Sequence, residues 1–131
     1  ILDGAHNEDA ALKLRESVEA YFPGRRLIGI MGVFKDKEYE KIAQTMGTLM
    51  SVVYTVDLPD EKRGLPSEEL AEVLGKYCPC VKRPDVSGRQ EMVDCAVQAA
   101  LSEAGKEDVI IAFGSLSYLH WVKDAYDKAV W

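Results

Sequence analysis

Apolar residues recur along this chain in two rhythms: a helical spacing of three and four, and short unbroken runs. Ile1-Leu2 reads as the tail of a strand. Asn7 is placed to cap a helix from Glu8 to about Tyr21, in which Ala11, Leu14, Val18, Tyr21 and Phe22 share one face. Glu8 and Asp9 suit the positive end of its dipole, and Pro23-Gly24 stops it. After Arg25 and Arg26 the predicted strand, Arg26–Met31, is continuously apolar, the habit of a parallel strand covered on both faces. Asp36 is placed to cap a helix to about Thr45, Leu49–Val56 predicts a further strand, and Asp57–Pro66 an exposed loop. Ser67 is expected to cap the next helix, with Glu68 and Glu69 in its first turn, and a short strand follows near Cys80–Lys82. Ser87-Gly88-Arg89-Gln90 has the spacing of a capping box and opens a helix through Val93, Val97, Ala100 and Leu101. Asp108–Phe113 predicts the last strand, and Gly114-Ser115-Leu116 turns into a helix ending near Ala129. Strand and helix alternate throughout, which predicts an α/β fold: a mostly parallel sheet with right-handed crossovers and helices on both faces.

In such sheets ligands sit beyond the carboxyl ends of the strands. Three loops are expected there: Asp3-Gly4-Ala5-His6-Asn7, Gly32-Val33-Phe34-Lys35-Asp36-Lys37 and Gly114-Ser115-Leu116-Ser117. Together they offer carboxylates, an imidazole, lysines, hydroxyls and helix N-termini, a set that fits a small anionic or zwitterionic ligand. Each residue also has a plainer use. Asp3 and Asn7 suit a turn and a cap, Lys35 and Lys37 suit a solvated surface, and Ser115 and Ser117 suit N-caps. A carboxylate and an imidazole together at a strand's end, Asp3 and His6, are the better functional candidates.

Composition narrows the classes. With 131 residues the chain suits one domain, and 22 acidic against 16 basic residues give a net charge of −6, which argues against a nucleic-acid binder. No apolar run approaches the ~20 residues that span a bilayer. The chain starts at Ile1 with no Met and no leader-like segment, and it reads as a piece of a larger protein. Its three cysteines, Cys78, Cys80 and Cys95, give no disulfide framework and suggest a reducing compartment, the cytoplasm. Cys78-Pro79-Cys80 is too sparse for zinc, so no metal site is expected from it. No phosphate-cradling glycine motif is present, so machinery for a nucleotide triphosphate is expected elsewhere.

Four segments carry a resemblance. Leu2-Asp3-Gly4-Ala5-His6-Asn7 resembles the signature that opens the C-terminal, glutamate-ligase domain of folylpolyglutamate synthases and dihydrofolate synthases, in the Mur ligase superfamily. Gly32-Val33-Phe34-Lys35-Asp36-Lys37-Glu38-Tyr39, Arg63-Gly64-Leu65-Pro66-Ser67-Glu68-Glu69-Leu70 and Gly114-Ser115-Leu116 are similar to later words of the same family, in the same order. Glu8 stands where that family usually has proline, and Ser117 intervenes before the aromatic Tyr118. The resemblance implies a Rossmann-like domain that works with an N-terminal ATPase domain, which holds most of the ATP and Mg²⁺ site. It implies an ATP-dependent ligase that adds L-glutamate to a folate or dihydropteroate through an acyl phosphate. It also implies nucleotide contacts at Asp3, His6 and Asn7, a catalytic part for His6 and Lys37, and glutamate contacts at Lys35, Lys37, Ser115 and Ser117. Another Mur-type amide ligase, for peptidoglycan or cyanophycin, and a non-catalytic α/β binding module are the other classes in view.

Overall fold

All five residues of β1 (Leu27–Met31) are buried, and their side chains alternate between two separate cores. Leu27 and Met31 meet Leu14, Ile42 and Leu70 on one side, while Ile28 and Ile30 meet Val93, Ala96 and Val122 on the other. This is why the run carries no polar residue: neither face of the strand reaches water. The computed structural model describes residues 1–130. After an N-terminal segment come α1 (Glu8–Tyr21), β1, α2 (Tyr39–Gly47), β2 (Val52–Thr55), α3 (Ser67–Leu74), β3 (Val81–Lys82), α4 (Arg89–Glu103), β4 (Val109–Phe113), a 3₁₀ turn (Leu116–Tyr118) and α5 (Leu119–Val130).

The strands lie in the order β3-β2-β1-β4 and every pairing is parallel. Met31 is level with Thr55 on one side and Phe113 on the other. Leu2 adds a parallel bridge to Ala112 on the outer edge of β4, with Ala112 N–H donating to Ile1 O at 2.8 Å and Asp3 N–H to Ala112 O at 2.9 Å. Helices α1, α2 and α3 cover one face, and α4 and α5 the other. The chain therefore steps outward from β1 to β3 along one face, then returns over the other to insert β4 between β1 and the N-terminal segment. Neighbouring strands β1 and β4 consequently send their carboxyl-end loops to opposite faces. That divergence leaves the crevice where α/β sheets bind ligands.

Local differences from the sequence reading have physical causes. Asn7 caps α1 as expected, its Oδ1 accepting from Ala10 N–H at 2.8 Å. Asp36 caps nothing; Glu38 occupies that place without a side-chain bond, because a turn closed by Lys37 N–H to Phe34 O delays the helix. Ser67 is already helical, and the carboxylate of Asp57, ten residues earlier, accepts its N–H at 2.7 Å. Gly88, not Ser87, is the N-cap of α4, and Glu91 folds back over it where a Cβ would lie. Tyr21, expected on the apolar face, is 78% exposed, while Phe22 after it packs against the core that α1 covers. No helix among the described residues is long and apolar enough to cross a membrane.

Candidate functional site

The three carboxyl-end loops touch one another. Gly114, at the end of β4, has φ +105°, and a Cβ there would overlap Gly32 O at the end of β1. Only glycine permits both that conformation and that approach. Gly4 lies against Leu116 in the same way: a Cβ on it would fall 2.5 Å from Leu116 Cγ. The β4 turn is thus wedged between the other two loops. A fourth segment joins them, with Phe34 and Gly64 forming an antiparallel bridge, Lys35 N–H donating to Arg63 O at 2.8 Å and Leu65 N–H to Val33 O at 2.8 Å. The Arg63 guanidinium lies 4.2 Å over the Phe34 ring. The four segments singled out in the sequence thus form one chain of contacts along the carboxyl edge of the sheet: Gly4 to Leu116, Gly114 to Gly32, and Phe34 to Gly64.

Beneath this edge sits Tyr118, fully buried, whose hydroxyl reaches Ile30 O at 2.9 Å and Phe113 O at 2.6 Å. Burial pushes its pKa well above that of an ordinary tyrosine, so it stays protonated and donating. It ties together the ends of the two strands whose loops form the crevice. The sequence signal for Tyr118 was an aromatic one place late; its partners lie 88 and 5 residues away, and the distant one is invisible in any local pattern. Arg63 and Phe34 were missed for the same reason.

The candidate residues are placed as follows. Asp3 is half-buried, one carboxylate oxygen accepting Ala5 N–H at 2.8 Å. His6 is exposed and its Nδ1 donates to Gly4 O at 2.8 Å, which leaves Nε2 facing outward from the bond. Asn7 uses its carbonyl as a cap and keeps its amide N–H₂ groups. Ser115 is 2% exposed; its Oγ accepts Ser117 N–H at 3.1 Å and lies 2.8 Å from Ser117 Oγ. Lys35 is exposed. Lys37 is half-buried beside Glu38, Lys41 and Lys76, in a hollow that Ser115 does not line. The fold brings Asp3, His6 and Asn7 next to the Ser115–Ser117 turn, and it sets Lys37 apart on the flank of α2. No cluster of three His, Cys, Asp or Glu side chains suited to a metal occurs among the described residues.

The last helical segment thus opens with two hydroxyls, Ser115 Oγ and Ser117 Oγ, 2.8 Å apart. Comparisons with known proteins agree with this geometry. Residues 1–116 match the family model described as Mur ligase, glutamate ligase domain. The dihydrofolate synthase/folylpolyglutamate synthase of Escherichia coli (strain K12) is 31% identical over 97% of this chain and 28% of its own length. The protein of the same name from Bacillus subtilis (strain 168) is 23% identical over 90% of this chain and 25% of its own. A solved structure, E. coli FolC in complex with DHPP and ADP, superposes with a TM-score of 0.75 and 26% identity, over 98% of this chain and 27% of that one. The chain spans about a quarter of the length of these relatives. With four converging segments and a family match over nearly its whole length, the chain belongs to the Mur ligase glutamate ligase domain family.

Proposed function

We propose that this chain is the C-terminal domain of a larger ATP-dependent ligase that adds L-glutamate to a folate or to dihydropteroate. One observation carries the reading: the four segments that resemble folylpolyglutamate and dihydrofolate synthases contact one another in a chain along the carboxyl edge of the sheet. Relatives bearing those names, similar along nearly the whole chain, support it.

In this reading ATP phosphorylates a carboxylate of the acceptor. The amine of glutamate then attacks the acyl carbon, the amide bond forms and phosphate leaves. Acyl phosphates hydrolyse readily, so this domain closes over an N-terminal ATPase domain and excludes water. Asp3, His6 and Asn7 face the nucleotide, with His6 nearest the phosphates and the incoming amine. Ser115 and Ser117 at the β4 turn, and Lys37 and Lys35 set apart from them on the loop after β1, hold the glutamate carboxylates. Donors serve those carboxylates, while the amine must be left uncharged to react. Fixing it near the acyl carbon is worth up to ~7 kcal/mol. In this reading the N-terminal ATPase domain holds the Mg²⁺ ion, and no step here is assigned to it. The three unpaired cysteines suit a cytoplasmic enzyme.

The test uses the full-length protein with ATP and Mg²⁺. Phosphate release that requires both glutamate and a folate or dihydropteroate acceptor is expected, while this chain alone releases none. Release that depends instead on a peptidoglycan precursor, or no glutamate-dependent release with either folate acceptor, overturns the reading.

A further inference from the structure

Leu116 is 69% exposed and belongs to neither core. It is nevertheless held on both sides. Its backbone lies between Ser115 and Ser117, whose hydroxyl and N–H groups bond across it. Its side chain lies flat on Gly4, with Cγ, Cδ1 and Cδ2 all occupying the space around a Cβ at that position. Gly4 itself sits in a turn fixed from two directions, since Asp3 accepts Ala5 N–H and His6 donates to Gly4 O. Gly4 does not have the left-handed backbone of Gly24 and Gly114, so no conformational need explains a glycine there. What remains is the room that Leu116 takes.

We propose that Leu116 is a positioning residue: laid across Gly4, it sets the spacing between the Asp3–Asn7 loop and the Ser115–Ser117 turn. This rests on the proposed ligase reading, in which the first loop meets the nucleotide and the second meets glutamate. A leucine packed on bare backbone holds two loops in van der Waals register without a polar group that would compete for either ligand. On the opposite side, Gly114 against Gly32 sets the matching distance to the β1 loop. The two glycine contacts thus define the width of the crevice on each side of the β4 turn.

The experiment is a double-mutant cycle in the full-length protein, with variants Gly4→Ala, Leu116→Ala and both together. Gly4→Ala pushes Leu116 aside and is expected to raise the KM values for ATP and glutamate together, lowering kcat/KM about 10- to 100-fold, since small misplacements near a reacting centre are that costly. The midpoint of thermal unfolding should stay close to that of the parent, because both groups lie outside the cores. Adding Leu116→Ala makes room for the new methyl and should recover at least half of the loss on a logarithmic scale. Direct titration with ADP gives a second readout: its Kd should rise in Gly4→Ala and recover in the double variant. If Gly4→Ala is silent, or if the double variant stays as impaired as the single one, the proposal is overturned. A parent protein without glutamate-dependent activity would instead count against the ligase reading, which separates the two failures.

Discussion

The hydroxyl of Tyr118 has one proton and two carbonyl oxygens within reach, at the carboxyl ends of β1 and β4. Removing it leaves both oxygens buried with a partner fewer, while the ring still fills its place. Tyr118→Phe should therefore cost about 0.5–1.5 kcal/mol of stability, read by urea unfolding, the net worth of a typical hydrogen bond, because Phe113 O still accepts the Gly32 N–H. A variant as stable as the parent would show that the ring alone matters. Lys37 offers a different test, because the structure sets it beside Glu38, Lys41 and Lys76 and away from Ser115. In the full-length protein, losing a charge-assisted bond worth about 1.5–3 kcal/mol raises a dissociation constant roughly 10- to 150-fold. We expect Lys37→Ala to raise the glutamate KM by that order and leave the ATP KM nearly unchanged. A joint rise would assign Lys37 to the nucleotide or to closure, and no change would make it a solvated lysine.

Between elements, the junctions decide how the crevice is built. The interiors of helices and strands were legible in the chain: α1 begins and ends where its periodicity placed it, and β1 and β4 differ from their apolar runs only by their first polar residues. The helix starts were less legible. Asp57 receives the Ser67 N–H across ten residues, outside any four-residue capping window, whereas at α4 the box is shifted by one residue, with Glu91 at the third position after Gly88. The turn after β4 was readable as glycine followed by serine, but not what the glycine is for. Its φ of +105° and the Gly32 carbonyl beside it leave no room for a side chain. Gly114→Ala should destabilise the fold by about 3 kcal/mol or more, combining a backbone conformation that costs on the order of 1–3 kcal/mol with a steric overlap. Equal stability of this variant, measured by denaturant unfolding, would mean that β1 and β4 separate freely at their ends.

For the molecule as a whole, alternation in the sequence implied a parallel sheet, but the order β3-β2-β1-β4 depends on pairings that periodicity does not encode. A polar network at the other end of the sheet holds that order together. Tyr54 of β2 donates to Glu103 Oε2 at 2.8 Å, and Arg26, before β1, donates to Glu103 Oε1 at 3.0 Å and to Asp108, before β4, at 3.4 Å. Burial first, and then the bond to Glu103, pushes the Tyr54 phenol up to about 12. The bond from Tyr54, and then that from Arg26, holds the Glu103 carboxyl below its ordinary value. The signs follow from linkage. A carboxyl lowered by folding binds fewer protons in the native than in the unfolded chain, so its contribution is complete above the ordinary glutamate pKa and is lost as pH falls through the folded value. A phenol raised by folding keeps its proton longer in the native state, so its contribution is complete below about 10, the ordinary tyrosine value, and is lost as pH rises from there. Stability should thus fall between pH 10 and about 12, where the folded Tyr54 titrates. Tyr54→Phe should flatten that alkaline limb relative to the parent. By removing the main donor to Glu103, it should also move the acid limb to higher pH. Glu103→Gln should weaken the acid limb, because no carboxylate remains to be protonated. Urea unfolding of the parent and both variants across this pH range measures the two limbs separately. If the alkaline limb of Tyr54→Phe coincides with that of the parent, the Tyr54–Glu103 bond does not link the strands energetically, and apolar packing alone sets their order.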